Sequence, residues 1–146
     1  MNPIEAGNAG TVRRLYEEYL NQNRTETLSD LVSEAVLLHS VTEEQGIAAY
    51  AALTDRLRIA FGEMRFTLLD VIACEDRVVV RWTMDATHGG PLNGIPATGR
   101  RVQQRANVIY RMEDGKIAEI WAQMDQVGML RQLGIDPLAS VKAVAN

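Results

Sequence analysis

The chain has 146 residues, 47% of them apolar and 23% charged, with a formal charge of −4. That length suits one domain with a real core and a small buried cavity, and the apolar share excludes a disordered chain. The acidic balance argues against nucleic acid as a partner, and no apolar run approaches the ~20 residues of a membrane helix.

One cysteine cannot form an internal disulfide, and two histidines with one cysteine argue against a zinc cluster. The start Met-Asn-Pro-Ile-Glu lacks the basic and apolar regions of a signal peptide, so a cytoplasmic domain is expected.

In residues 9–22, Val12, Leu15, Tyr16, Tyr19 and Leu20 recur at helical spacing, with Arg13, Arg14, Glu17 and Glu18 opposite. The spacing predicts an amphipathic helix. Residues from Thr27 to Asp30 open a short second helix, and residues 35–39 read as a brief strand ending at His39. A third helix is expected over 44–61, with Ile47, Tyr50, Ala51, Leu57 and Phe61 as its core stripe.

From residue 64 the period becomes that of strands, over 66–73, 77–88, 101–112 and 116–126. Glu75-Asp76 and Asp114-Gly115 are tight connections between antiparallel neighbours. A Gly- and Pro-rich loop joins the second and third of these strands, from Gly89 to Arg100. It lacks the lysine and following helix of a phosphate loop. A last helical turn spans 127–134, and 135–146 is expected to be a loose tail on a single domain whose core is about 9–134.

Helices first and a curled antiparallel sheet afterwards is the α+β pattern, here a cone wrapped by three N-terminal helices. Side chains alternate along a strand, so Trp121, Gln123 and Asp125 share one face. In a closed pocket a carboxylate on that face loses water and becomes a better base. With that face inward, Ile120, Ala122 and Met124 fall outside with Val79, and a second copy of the chain is expected to cover them.

The run Glu-Asp-Arg-Val-Val-Val-Arg-Trp-Thr from Glu75 and the stretch Thr-His-Gly-Gly-Pro-Leu-Asn-Gly-Ile-Pro-Ala-Thr-Gly-Arg from Thr87 resemble the SnoaL-like polyketide cyclases. The segments from Tyr110 to Trp121 and from Asp125 to Gly134 continue the likeness. It covers the chain from the first helix to Gly134. The resemblance implies the NTF2-like cone fold and an Asp four residues after the last strand's Trp as acid/base, here Asp125. It also implies a pocket-lining His at the end of the first short strand, here His39. After His39 the sequence Ser-Val-Thr-Glu-Glu-Gln departs from the Pro/Gly-rich loop of relatives.

The expected reaction is a cofactor-free intramolecular aldol closure of an aromatic or polyketide carbonyl ester, a hydrophobic small molecule. Asp125 would move the proton, with His39 assisting the developing oxyanion. Expected substrate contacts are Trp121, Gln123, Asn107, Trp82, Met84, Tyr16, Tyr50 and His88. Asn107 and Gln104 compete for the cavity face, and His88 has a loop-fixing alternative. For Trp82, Tyr16 and Tyr50 the alternative is packing.

Three other readings stay open on the sequence. One is epoxide opening, which needs a second carboxylate from Asp70 or Asp85. Another is isomerisation with Tyr16 as oxyanion donor. The third is a non-catalytic module that binds a hydrophobic small molecule. Arg81 and Asp85 share a strand face, and a cross-strand surface or interface ion pair is expected there in place of a functional pair.

Overall fold

The structure, a computed structural model, describes residues 1–139. Helix α1 (Pro3–Arg14) begins six residues before the expected start at 9, because a capping box closes its first turn. The Asn2 side chain accepts from the Glu5 N–H at 2.9 Å, and the Glu5 carboxylate accepts from the Asn2 N–H at 3.1 Å. Pro3 fits the first turn, where no amide donor is needed.

The helix continues as a wider π turn (Leu15–Leu20) that buries Leu15, Tyr16, Tyr19 and Leu20. Arg58 donates to the Tyr19 carbonyl at 2.7 Å and lies over its ring, supplying a partner at the widened turn. The Asn21 side chain then bonds both the N–H and C=O of Phe66, at 2.7 and 2.9 Å, tying the helix end to the sheet.

A short α2 (Leu28–Leu31) leads to β1 (Val32–His39), β2 (Glu43–Gln45) and α3 (Ile47–Ala60). The chain then lays down β3 (Phe61–Cys74), β4 (Arg77–His88), β5 (Arg101–Glu113), β6 (Lys116–Met124) and α4 (Gln126–Gln132). The six strands form one curved sheet in the order β2-β1-β6-β5-β4-β3.

Helices against a curled sheet are as expected, with two differences. The edge strand β2 was not expected, since three polar residues carry no strand period. The sheet is also not wholly antiparallel: β1 runs parallel to β6. The chain leaves β1 through α3 and returns to it only after the whole meander, and such a crossover permits parallel pairing. Beyond α4, Ile135 packs on the core and donates its N–H to Leu130, so the expected loose tail is tied down at its start. Residues 140–146 of that tail lie outside the described residues.

At the last hairpin Asp114 and Gly115 both have positive φ (51° and 78°), the primed turn that matches strand twist. Register shifts at Gly62/Arg65 and Leu68/Asp70 in β3 bend the sheet. A third shift decides which face is which. Met112 pairs with Ile117 and Arg111 with Glu119, so Ala118 is an extra residue in β6. The side-chain alternation reverses across it.

Ile117 and Ile120 therefore both enter the core, at 0% and 3% exposure, and Trp121, Gln123 and Asp125 point to the outer face. The expectation that this trio faces the helices is corrected here, and so is the outward placement of Ile120, Ala122 and Met124. On β4 the alternation holds: Val78, Val80, Trp82, Met84, Ala86 and His88 are all buried under the helices.

Candidate functional site

A cavity of about 560 Å³ opens between α3, the inner ends of β1, β5 and β6, and the start of α4. Leu38, Leu53, Leu57, Phe61, Met124 and Met129 give it apolar walls. Apolar walls with a few convergent polar groups are the pattern of a small-molecule site. Val41 and Thr42 of the turn before β2 form one lip, and Pro91, Leu92 and Asn93 of the loop after β4 form the other.

The buried polar group of the cavity is Gln104 on β5, 7% exposed. Its Oε1 accepts from the Arg105 N–H at 2.9 Å, which leaves its amide nitrogen to donate to a ligand. Glu44 and Arg56 stand at the rim, and Gln126 lines the α4 side. Gln104 was the competitor of Asn107 for this face. Three residues apart on a regular strand, they point opposite ways, and Asn107 lies outside beside Gln123.

Asp125 sits between the cavity-lining residues Met124 and Gln126, but its own side chain is exposed on the other side. It caps α4, accepting from the Gly128 N–H at 2.9 Å. A Cβ at position 128 would overlap this carboxylate, so the glycine makes room for it. Asp125, Gln123, Asn107 and Arg81 line a groove of about 480 Å³ on the outer face.

His39, expected in the pocket, also points outward. Its Nε2 lies 2.6 Å from Glu119, its Nδ1 bonds Glu43, and its ring stacks on Trp121. With both ring nitrogens engaged by carboxylates, it has no nitrogen left for a substrate. Glu119 first, then Glu43, raises the affinity of His39 for its proton above the ordinary histidine value. His39, with Arg111 behind it, in turn holds the Glu119 carboxyl below its usual range.

Tyr16, Tyr50, Trp82 and Met84 are core side chains behind the cavity and do not line it. Tyr16 shares a hydrogen bond with Tyr110, and burial drives its phenol far above the ordinary value, so it stays neutral. Trp82 packs edge-on to Phe66 at 4.8 Å, and Tyr50 lies against Tyr19. That arrangement uses all three aromatic residues in packing.

His88 is fully buried, and its Nδ1 accepts from the Thr98 N–H at 3.2 Å. Its backbone donates to Arg100 and accepts from Gly99, both at 2.8 Å, so it fixes the base of the glycine-rich loop. Asp70 pairs with Arg81 at 2.7 Å and Asp85 bonds Gln103 at 3.1 Å, all on the outer face. Arg81 thus pairs across the strands with Asp70, the cross-strand kind of ion pair expected on this face.

Sequence reasoning missed Glu44, Arg56 and Gln126. Arg56 had a readable signal, because Leu53, Arg56 and Leu57 occupy one helical face. Among the described residues no group of three or more His, Cys, Asp or Glu is placed to hold a metal ion. No helix among them is long and apolar enough to cross a membrane.

The pattern of the SnoaL-like polyketide cyclase family matches residues 10–133. The chain is 33% identical over 130 residues to aklanonic acid methyl ester cyclase DauD of Streptomyces sp. (strain C5), spanning 84% of this chain and 79% of that protein. It is equally identical to aklanonic acid methyl ester cyclase DnrD of Streptomyces peucetius, covering 84% and 88% of the two chains. The solved structure of TsrD from Streptomyces laurentii superposes with a TM-score of 0.82 at 28% identity, over 92% of this chain and 98% of that one.

Proposed function

The chain belongs to the SnoaL-like polyketide cyclase family, and from that premise we propose that it closes a ring in an aromatic or polyketide carbonyl ester by intramolecular aldol condensation. A base removes the acidic proton between two carbonyls, and the enolate carbon attacks a second carbonyl of the same molecule. The alkoxide formed then recovers a proton. One C–C bond forms and no electrons leave the molecule, so the reaction asks of the protein only a folded substrate and one mobile proton.

The observation that carries the reading is the cavity itself: apolar walls around about 560 Å³, a size ordinary for a small-molecule site, with one buried amide donor, Gln104. Gln104 would hold a substrate carbonyl, where negative charge gathers as the enolate forms.

For the base we propose Asp125, which is flanked by the cavity-lining Met124 and Gln126 and has the sequence position of the acid/base in the family. Its carboxylate now fills the space beside Gly128 in the α4 cap on the outer face, so to reach a ligand it must leave that cap and the turn into α4 must shift with it. A second reading rests on a specific observation: Glu44 is a carboxylate already on the cavity wall.

The test of the cavity is binding of an aromatic β-keto methyl ester, followed by the Gln104 side-chain amide signal in NMR. Occupancy should shift that signal, and Gln104→Leu should weaken binding about 2- to 10-fold, the worth of one neutral hydrogen bond. An unmoved Gln104 signal in the presence of a converted substrate would send the reaction elsewhere on the fold.

We also propose that the outer sheet face pairs with a second copy. Ile72, Val79, Ile109 and Trp121 form one continuous row across β3, β4, β5 and β6, and the first three are 59%, 37% and 41% exposed. An apolar row flanked by Asp70, Arg81, Asn107 and Gln123 has the apolar-centre, polar-rim layout of an interface. Light-scattering mass should be that of a dimer, and Ile109→Glu should halve it. A monomeric wild-type mass would remove this proposal. A reducing cytoplasm suits the chain as well, since its exposed Cys74 is a free thiol.

A further inference from the structure

We propose that the β1–β2 hairpin is a flap over the cavity mouth, latched by His39 while its imidazolium bridges Glu43 of β2 and Glu119 of β6, and released when the ring loses its proton. The inference rests on the cavity being the ligand site, and concerns how that site opens.

The mechanical part is local. Strand β2 has three residues, stands at the edge of the sheet and, among the described residues, pairs only with β1. Residues 40–42 and Glu44 line the cavity, and Val41 is 79% exposed at its lip. Three residue pairs hold little apolar surface, so such an edge opens at low cost compared with the core strands. Across the pair nearest the turn, His39 stands opposite Glu43, the residue its Nδ1 bonds.

The chemical part is a count of donors. An imidazolium carries two N–H groups and satisfies both carboxylates. A neutral ring carries one, so one carboxylate must face a lone pair. Glu119 is the one retained: its side chain is 17% exposed and Arg111 also holds it at 3.1 Å. Glu43 is 73% exposed and returns to water readily.

The other charges around the ring do not oppose this order. Arg111 is shared between Glu119 and Glu113, and Arg77 lies over the Trp121 ring, 5.4 Å from its centre. Trp121, stacked on His39 at 5.5 Å, fixes the ring plane in either protonation state.

The direction with pH follows from the two neighbouring carboxylates, Glu119 the larger influence, which raise the His39 affinity for its proton. The latch is fully formed below the ordinary histidine value of about 6.5, and is lost as pH rises through the raised value in the folded protein. Glu119 acts at the other end: its depressed carboxyl keeps its own arm of the bridge charged above the ordinary carboxylate range, and that arm is lost as pH falls through the depressed value.

The experiment is hydrogen exchange of the amides at 40–46, corrected for intrinsic base catalysis, from about pH 6 to about pH 9. Wild-type protection should fall several-fold across that range while the amides of β4 and β5 keep theirs. His39→Gln should give a flap already open and insensitive to pH. Glu43→Gln leaves the His39–Glu119–Arg111 contacts in place and should likewise flatten the flap's response, while His39 still titrates above the ordinary value by NMR.

A flap whose protection does not change with pH, or one that keeps the wild-type response in Glu43→Gln, would overturn the latch. No substrate enters this measurement. A protein that fails to turn over carbonyl esters but shows the pH-dependent flap would refute the ring-closing reaction alone.

Discussion

Asp125→Asn is expected to lower the rate of ring closure about 100- to 10,000-fold, the usual worth of a general acid–base group, while ligand affinity changes little. The amide keeps the shape of the side chain and can still accept from the Gly128 N–H, so the α4 cap survives. What disappears is the proposed proton acceptor. Glu44→Gln in the same assay should stay within about threefold of wild type, since a rim carboxylate that moves no proton adds only local charge. Steady-state kinetics on one carbonyl ester separates the two. A large loss in Glu44→Gln with an active Asp125→Asn would transfer the base to β2. Full activity in both would mean that neither carboxylate is the base.

Gly90→Val should destabilise the fold by about 3 kcal/mol, the upper part of the range for overfilled sites. In a domain of this size that is a fall of roughly 6–12 °C in Tm. The cause is backbone, not side chain. A Cβ at 90 would overlap the carbonyl oxygen of Ile59, and backbone cannot step aside as a flexible side chain can. The amides of Gly89 and Gly90 both donate to Ala60, at 3.1 and 3.2 Å, so moving the loop also strips two hydrogen bonds.

Gly89→Ala is the control, because its Cβ would meet its nearest neighbour at an ordinary 3.9 Å. Thermal melts of the two variants should differ by most of the effect. Equal melts would mean that the loop lifts freely from α3. Ile59, Phe61, Pro91 and Leu92 line the cavity, so the valine variant should also bind ligand more weakly.

Much of the fold was legible from local chemistry. The Asp114-Gly115 pair announced its hairpin, and β4 alternated cleanly enough to put Trp82, Met84 and His88 under the helices. Other features were present in the sequence but read for the wrong signal. Asn2, Pro3 and Glu5 spell a helix start, yet the turn they open has an exposed Ile4 and no apolar stripe.

The candidate site was the less legible part. Trp121, Gln123 and Asp125 do share a face, as alternation demands, but which face depends on one unpaired residue, Ala118. A bulge leaves no mark in a pattern of apolar and polar letters when the unpaired residue, Ala118, and the Ile117 before it are both apolar. The choice between Gln104 and Asn107 had the same character, since it needed a register that pairing alone supplies. His39 was singled out on family position, and only the fold reveals that two carboxylates already hold it.

The parallel seam between β1 and β6 has a consequence for a chain emerging from the ribosome. Strands β3 to β6 can zip in order, each on the hairpin before it, as they are made. His39 and Trp121, neighbours across the seam, are roughly 80 residues apart along the chain, and closing so long a loop is what slows assembly. Until β6 is synthesised, β1 has only the three-residue β2 beside it and its other edge is bare. A nascent or truncated chain lacking the last strand therefore exposes an open, apolar strand edge, the kind of surface that chaperones bind and that aggregates.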